Sequence, residues 1–471
     1  MTQEKSELEM EVNEIVRALL SLDSRRRLSM LDSCGVDGAP LLIAGFDPFE
    51  VIEVRGRQAQ ISRRGSDRIR TLETDALDLL DQRLAAYELR SPIARSFPSA
   101  ACIGTLSYEL AHQLERIRST SLNSREPNEP DAVFAFYDTL VVHDYVQRKS
   151  MIVTCQGAER IDETEKALRS VRAENGREVS ICSTTVSNMT RDEYLAAIGR
   201  IKEHITAGDI YQANLTQRFS CALTVESTPE DIFLRLRRDH PAPFAAFIRR
   251  RDDTVISISP ERFLRVSAIR DVRQVEACPI KGTRPRGTSE AEDARLRADL
   301  EKSEKDRAEN VMIVDLMRND LGRVCRYGSV EVAGLCAIEE HPTLFHLVSK
   351  IRGTLRDQVT AGELLRACFP CGSITGAPKI RAMEIIDEVE TAQRGLSMGA
   401  IGYFGFDGTM DLSVAIRTMT VRNRVAEFNV GGGIVADSDP LQEYEESLLK
   451  ARALFRALGV QERTASYITR R

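Results

Sequence analysis

The segment EVNEIVRALL (Glu11–Leu20) carries apolar residues at a helical period and predicts an amphipathic helix. Short apolar runs such as APLLIAGF (Ala39–Phe46) follow and read as strands. TLVVHDY (Thr139–Tyr145) and SMIVTC (Ser150–Cys155) flank the polar turn VQRK and predict a hairpin. Residues 156–189 are polar and charge-rich, with a helical piece near ETEKALRSVRAE and a tail, SICSTTVSNM, that reads as a connector. Thr190 and Glu193 then form a capping box ahead of YLAAIGRIKEHI, and Gly208 stops that helix. Further on, AFIRRRDDTVISIS predicts a hairpin turning at Asp252-Asp253. MDLSVAIRTMTVRNRVAEFNVGGGIV predicts another, turning at Arg422-Asn423-Arg424. DARLRADLEKSEKDRAENVMIVDLMRNDL and LQEYEESLLKARALFRAL have helical patterns. Strands arranged in hairpins rather than in β-α-β alternation favour an antiparallel α+β fold. The pattern divides the chain into an α+β region at 1–155, a connector at 156–189, a second region at 190–455 and a tail at 456–471.

Composition narrows the function classes. Of 471 residues, 42% are hydrophobic and 29% charged, which are globular proportions. The formal net charge of −6 argues against a nucleic-acid binder, which carries a basic excess. No stretch reaches the roughly 18 uncharged apolar residues of a membrane span. The N-terminus, MTQEKSELEMEVNEIV, is acidic and polar, unlike a secretory signal, so a cytoplasmic location is expected. The 10 cysteines are scattered and read as free thiols, with the CFPC pair Cys368 and Cys371 read as ordinary small residues.

Three sets of residues could carry chemistry. Gly431-Gly432-Gly433 follows a strand, but neither GxGxxG nor GxxxxGK[ST] is present, which disfavours a nucleotide site. Glu443 and Glu446 share a helix face with Lys450, and Asp306 and Glu309 repeat the same carboxylate spacing on another helix. Two such faces meeting would make an oxygen cage for Mg²⁺; each alone also fits a solvated charged face. In EACPIKGTRPRG (Glu276–Gly287), Lys281 lies close to Arg284 and Arg286. A partly buried lysine beside cations can be a nucleophile, whereas an exposed one is an ordinary basic loop residue.

Several long segments, in order, resemble the chorismate-utilising enzymes, and within them the aminodeoxychorismate synthase component I branch. They are GDIYQANLTQRF (208–219), SPERF (259–263), PIKGTRPRG (279–287), RAENVMIVDLMRNDLGRV (307–324), FHLVSKIRG (345–353), PCGSITGAPKIRAMEIID (370–387) and GGGIVADSDPLQEYEESLLKA (431–451). The match is dense over 190–455 and weaker before it. The resemblance implies two packed antiparallel sheets with helices outside and the active site between the layers. It makes Glu309 and Glu446 the carboxylates that hold Mg²⁺, with Asp306 and Glu443 beside them. Gln212, Thr375, Arg417, Gly431, Gly433 and Lys450 fall at substrate-holding positions, and Glu261 at that of the general acid. His346 falls near the reacting ring; read alone, it is a packed histidine in an apolar helix. Read alone, Thr375 is a helix cap. Gln212 stands where isochorismate and salicylate synthases carry a water-activating lysine, and an amide cannot deprotonate water. Ser397 replaces an aromatic residue of many relatives.

Lys281 separates branches of the family. Aminodeoxychorismate synthases read PIKGT, as here, whereas anthranilate synthases typically read PIAGT. The resemblance then implies that Lys281 attacks C2 of chorismate while Glu261 helps the C4 hydroxyl leave, after which ammonia attacks C4 and expels the lysine. No glutamine amidotransferase region is evident, so ammonia is expected from a separate amidotransferase subunit, and a separate lyase would make 4-aminobenzoate for folate. The alternatives are anthranilate synthase component I and a non-catalytic chorismate-binding regulator. Neither a nucleic acid nor a membrane is expected as a partner.

Overall fold

The computed structural model describes residues 4–36, 40–89, 97–115, 117, 129–171, 182–269, 272–341 and 344–460. Ala39, the end of the helical piece predicted after Glu163, and residues 461–471 of the tail lie outside them.

Two 12-stranded antiparallel sheets form the body. The first runs from Glu4–Glu7 through Thr139–Asp144, Leu41–Gly45 and Phe244–Arg249 to Thr418–Arg422, Val425–Ile434, Gln212–Leu223 and the edge Cys182–Ser187. The second begins at Ile280–Pro285 and Leu344–Thr354. It continues through Val272–Ala277, Arg262–Ile269, Met410–Val414 and Ala400–Gly405 to Ala132–Tyr137 and the edge Ser66–Glu73. Strands from both ends of the chain enter both sheets. The sheets face each other across Ile43, Val142 and Ile248 of one and Ile103, Val133 and Ile401 of the other. Central strands are apolar on both faces for that reason; Ala132–Tyr137 (AVFAFY) is buried throughout.

Helices cover the outer faces. Val12–Leu20 buries Ile15, Val16, Leu19 and Leu20, as its periodicity predicts. Arg191–Thr206 starts on the Thr190/Glu193 capping box and is followed by Gly208 at φ +81°. The two predicted hairpins at Thr139–Asp144/Lys149–Thr154 and Phe244–Arg249/Thr254–Ser259 form in antiparallel register. Among the described residues no helix is long and apolar enough to cross a membrane.

Four local expectations are corrected. Within the expected connector, Cys182–Ser187 is an edge strand paired with Gln212–Leu223. The helical run from Asp293 breaks at Ser303, whose hydroxyl accepts from the Asp306 backbone N–H and starts a new helix, Glu304–Gly322. His346 lies on a strand, not a helix, opposite Thr283. The run from Met410 to Val435 is not one hairpin: Met410–Val414 belongs to the second sheet and Thr418–Arg422 to the first, and only the turn at 422–425 is a hairpin.

One buried ion pair ties the site-bearing segments together. Arg394, 2% exposed, donates to both carboxylate oxygens of Glu390 (3.0 and 2.7 Å), to the Ile374 carbonyl (2.9 Å) and to the Asn214 carbonyl (2.6 Å). It also stacks on Tyr108 at 4.4 Å. Arg394→Met leaves Glu390 buried without its cation and is expected to destabilise the fold by about 3–5 kcal/mol in urea unfolding.

Candidate active site

Two crossings of the chain between the sheets build one end of a cleft of about 700 Å³. At the first, Thr254–Ser259 ends in one sheet, Pro260 and Glu261 intervene, and Arg262–Ile269 begins in the other. At the second, Ala415–Arg417 lead from Met410–Val414 back to Thr418–Arg422. The crossings are bonded to each other: the Val414 N–H donates to the Glu261 carbonyl (3.0 Å), and the Ile258 N–H to the Arg417 carbonyl (3.1 Å). Glu261 and Arg417 therefore enter the cleft from a shared, rigid corner. Arg417 holds φ +49°, a left-handed conformation fixed by the packing around it.

These two groups are electrostatically unusual. Burial raises the Glu261 carboxyl to about 7, against the opposing effects of the Ser373 hydroxyl, the Lys281 ammonium and the Ile280 backbone. Its Oε1 is buried with no hydrogen-bond partner among the described residues. Burial lowers the Arg417 pKa, and no side-chain partner for its guanidinium occurs among the described residues. An unpaired, desolvated fork of donors lining a cleft fits a carboxylate ligand.

Lys281 lies on the strand Ile280–Pro285, so the expected basic loop is ordered sheet. Its Nζ donates to the Ser373 carbonyl at 3.3 Å, which brings it to the residue beside Glu261. The neighbouring arginines turn away to carboxylates: Arg284 pairs with Asp299 (2.7 Å) and Asp306 (3.3 Å), and Arg286 with Asp293 (2.6 Å). His346 is lowered to about 3, first by burial and then by His341 and Arg417, so it is neutral near pH 7. Its Nδ1 lies 2.8 Å from the Thr283 hydroxyl.

Facing them, the helices Glu304–Gly322 and Pro440–Ala457 bring Asp306, Glu309, Glu443 and Glu446 to the same cleft. Glu443 accepts from Ser438 Oγ (2.7 Å) and Lys305 Nζ (3.2 Å). Lys450 Nζ reaches Glu446 (2.9 Å) and the Gly431 carbonyl (3.2 Å). Burial raises the Glu309 pKa against the pull of Lys281 and Lys305. Burial opposes the charge of Lys305, but Glu443, then Glu309 and Glu446, outweigh it and raise its pKa. Among the described residues no three His, Cys, Asp or Glu side chains stand together as a ready metal cluster. The donor set nonetheless fits a hard divalent cation, because it is all carboxylate and Glu309 has no ion-pair partner within 4 Å among the described residues.

Gly431 and Gly433 line the cleft on the strand Val425–Ile434. A Cβ at Gly431 would overlap the Leu215 carbonyl, and one at Gly433 would overlap the Gln212 amide. Gln212 and Thr375 do not line the cleft. Gln212 packs buried behind Gly433, with its Oε1 unpartnered among the described residues. Thr375 is buried and its hydroxyl donates to the Cys371 and Gly372 carbonyls (3.1 and 3.3 Å), so it does not cap the following helix. Ser397 is also buried, between the Thr418 carbonyl and the Asn429 N–H, 3.2 Å from each, and Met398 beside it reaches the cleft. Cys368 and Cys371 are buried free thiols.

Sequence reasoning missed Asn214, whose Nδ2 is buried without a partner at the cleft, although its spacing from Gln212 puts both on one strand face. It also missed Lys305, four residues before Glu309, and Ser373, which adjoins both Lys281 and Glu261.

A family model described as chorismate binding enzyme matches residues 39–456, nearly the whole chain. The chain belongs to that family. The match extends well before residue 190, where the resemblance read from the sequence begins to be dense. Within the chorismate-binding family, aminodeoxychorismate synthase component 1 of Escherichia coli is 38% identical over 88% of this chain and 88% of its own length. Anthranilate synthase component 1 of Pseudomonas aeruginosa is 35% identical over 90% of this chain and 88% of its own. The crystal structure of anthranilate synthase component I from Streptococcus pneumoniae superposes with a TM-score of 0.74 at 29% identity, covering 88% of this chain and 92% of that one. The resemblance and the two-sheet α+β fold expected from it are both borne out.

The state of Glu261 has a consequence for stability. Its folded pKa of about 7 lies above the ordinary 4.5, so folding favours the protonated form. That contribution is complete below about pH 4 and is lost as pH rises to about 7, amounting to about 3 kcal/mol. At pH 8, Glu261→Gln is expected to unfold at a higher urea concentration than the parent, and at pH 4 to show no such gain.

Proposed function

We propose that this chorismate-utilising enzyme is the synthase subunit of an aminodeoxychorismate synthase, aminating chorismate at C4. The observation that carries the reading is the meeting of Lys281 and Glu261 at Ser373: an amine 3.3 Å from the Ser373 carbonyl beside a carboxyl held near 7 by burial. An amine nucleophile and a protonated acid on one side of a cleft suit displacement of a hydroxyl. PIKGT at 279–283 and the similarity to named aminodeoxychorismate synthases support the same reading.

In this reading, the Lys281 amine forms a bond to C2, the two ring double bonds shift in concert, and the C4 oxygen leaves as water with the proton of Glu261. Ammonia then attacks C4, both double bonds shift back, the C2–N bond breaks to return the lysine amine, and the new C4 ammonium gives a proton back to Glu261. Arg417 and Lys450 bind the substrate carboxylates, and neutral His346 packs near the ring. Gln212 offers no base, which disfavours water as nucleophile. Glu309 and Glu446, with Asp306 and Glu443 beside them, would hold Mg²⁺, which supplies positive charge to anchor the ring carboxylate. A glutamine amidotransferase partner would supply the ammonia.

Incubating the protein with chorismate and Mg²⁺ without ammonia tests the covalent step. Intact mass spectrometry is expected to show an adduct of chorismate less one water, mapped to Lys281. A protein that turns over on adding ammonium yet never carries the adduct would overturn it. The similarity to anthranilate synthases favours one rival, amination at C2, which would release anthranilate instead.

A further inference from the structure

Three cations are paired into the carboxylate face of the cleft, and they are not equivalent. Arg284 is held by two carboxylates, Asp299 and Asp306. Lys450 is held by Glu446 and by the Gly431 carbonyl. Lys305 is held by Glu443 alone among the described residues, at 3.2 Å, and its side chain is 51% exposed. Glu443 is 4% exposed and its Oε1 is fixed by Ser438 at 2.7 Å. A fixed, buried carboxylate therefore faces a long side chain with a single tether and open solvent behind it. Lys305 also precedes Glu309 by one helical turn, so its ammonium emerges on the face that carries Glu309.

We propose that the Lys305 ammonium is a resident stand-in cation: it compensates the carboxylate cluster when no divalent ion is bound and swings to solvent when one binds. This rests on the divalent-ion reading of the carboxylates above. Four carboxylates facing one cleft repel each other, and an ion entering next to a fixed ammonium is repelled in turn. Lys305 thus supports the metal-free fold and weakens affinity for the ion.

The test is Mn²⁺ binding to the substrate-free full chain, read by calorimetry and by the loss of the free-ion electron paramagnetic resonance signal. Lys305→Met is expected to bind Mn²⁺ about tenfold more tightly than the parent. Its melting temperature in chelator should fall below the parent's and recover with Mn²⁺. Lys305→Gln covers a failure of the methionine variant to fold, and Lys305→Arg should keep the parent's affinity. Equal or weaker binding by the neutral variants, with the parent binding one ion, overturns the role of Lys305 and leaves the metal reading standing. No Mn²⁺ binding by parent or variants overturns both.

Discussion

Lys281→Ala is expected to reduce C4 amination by a factor on the order of 10³ or more, the scale on which deleting a covalent nucleophile acts. The side chain is half-buried on a strand and makes one hydrogen bond, 3.3 Å to a carbonyl. Its removal should therefore cost about 1 kcal/mol of stability, and the variant should remain folded. A large loss of rate in a folded protein is then a loss of chemistry. Lys281→Arg should not rescue it, because a guanidinium stays protonated and has no free electron pair. Chorismate binding should persist in both variants, since Arg417 and the carboxylate face are untouched. Rates from steady-state product formation, with melting temperatures beside them, check all three expectations.

Glu261→Gln is expected to lower the rate by about 10²–10⁴, the usual contribution of a positioned general acid. Parent and variant differ in their pH behaviour. In the parent, the acid must be protonated to act, so the ratio of parent to variant rate at fixed free ammonia should fall as pH rises through about 7. Glutamine does not titrate, and the residual rate of the variant should lack that limb. A merely structural role for Glu261 would lower the rate without changing the shape of the profile. The expected gain in stability of the same variant at pH 8 sharpens the contrast: the carboxyl opposes folding when ionised and serves the reaction when protonated.

Much of the fold and site was legible in the residues, for identifiable reasons. The capping box at Thr190, the hairpins at 139–154 and 244–259, and the helix bearing Glu443 and Glu446 are local features that sequence period encodes. The errors fall where tertiary pairing decides. Cys182–Ser187 is polar enough to read as a connector and becomes a strand because Gln212–Leu223 offers an edge. His346 was read in an apolar helix because its segment is buried on both faces and shows no alternation. The crossing at Ala415–Arg417 is invisible in a pattern that continues as strand on both sides, yet it delivers a buried guanidinium with no side-chain partner among the described residues. Carboxylate spacing showed that Asp306/Glu309 and Glu443/Glu446 each share a face; only the tertiary structure shows that both faces line one cleft, bridged by Lys305 and Glu443 at 3.2 Å. The roles of Gln212 and Thr375 came from resemblance alone, and the structure sets both side chains behind the cleft wall.

The most direct test is a product assay with purified protein, chorismate, Mg²⁺ and an ammonium salt at alkaline pH, with and without an added aminodeoxychorismate lyase. The account predicts that 4-aminobenzoate forms only when the lyase is present. Fluorescent anthranilate formed without the lyase would contradict it and move the site of amination from C4 to C2.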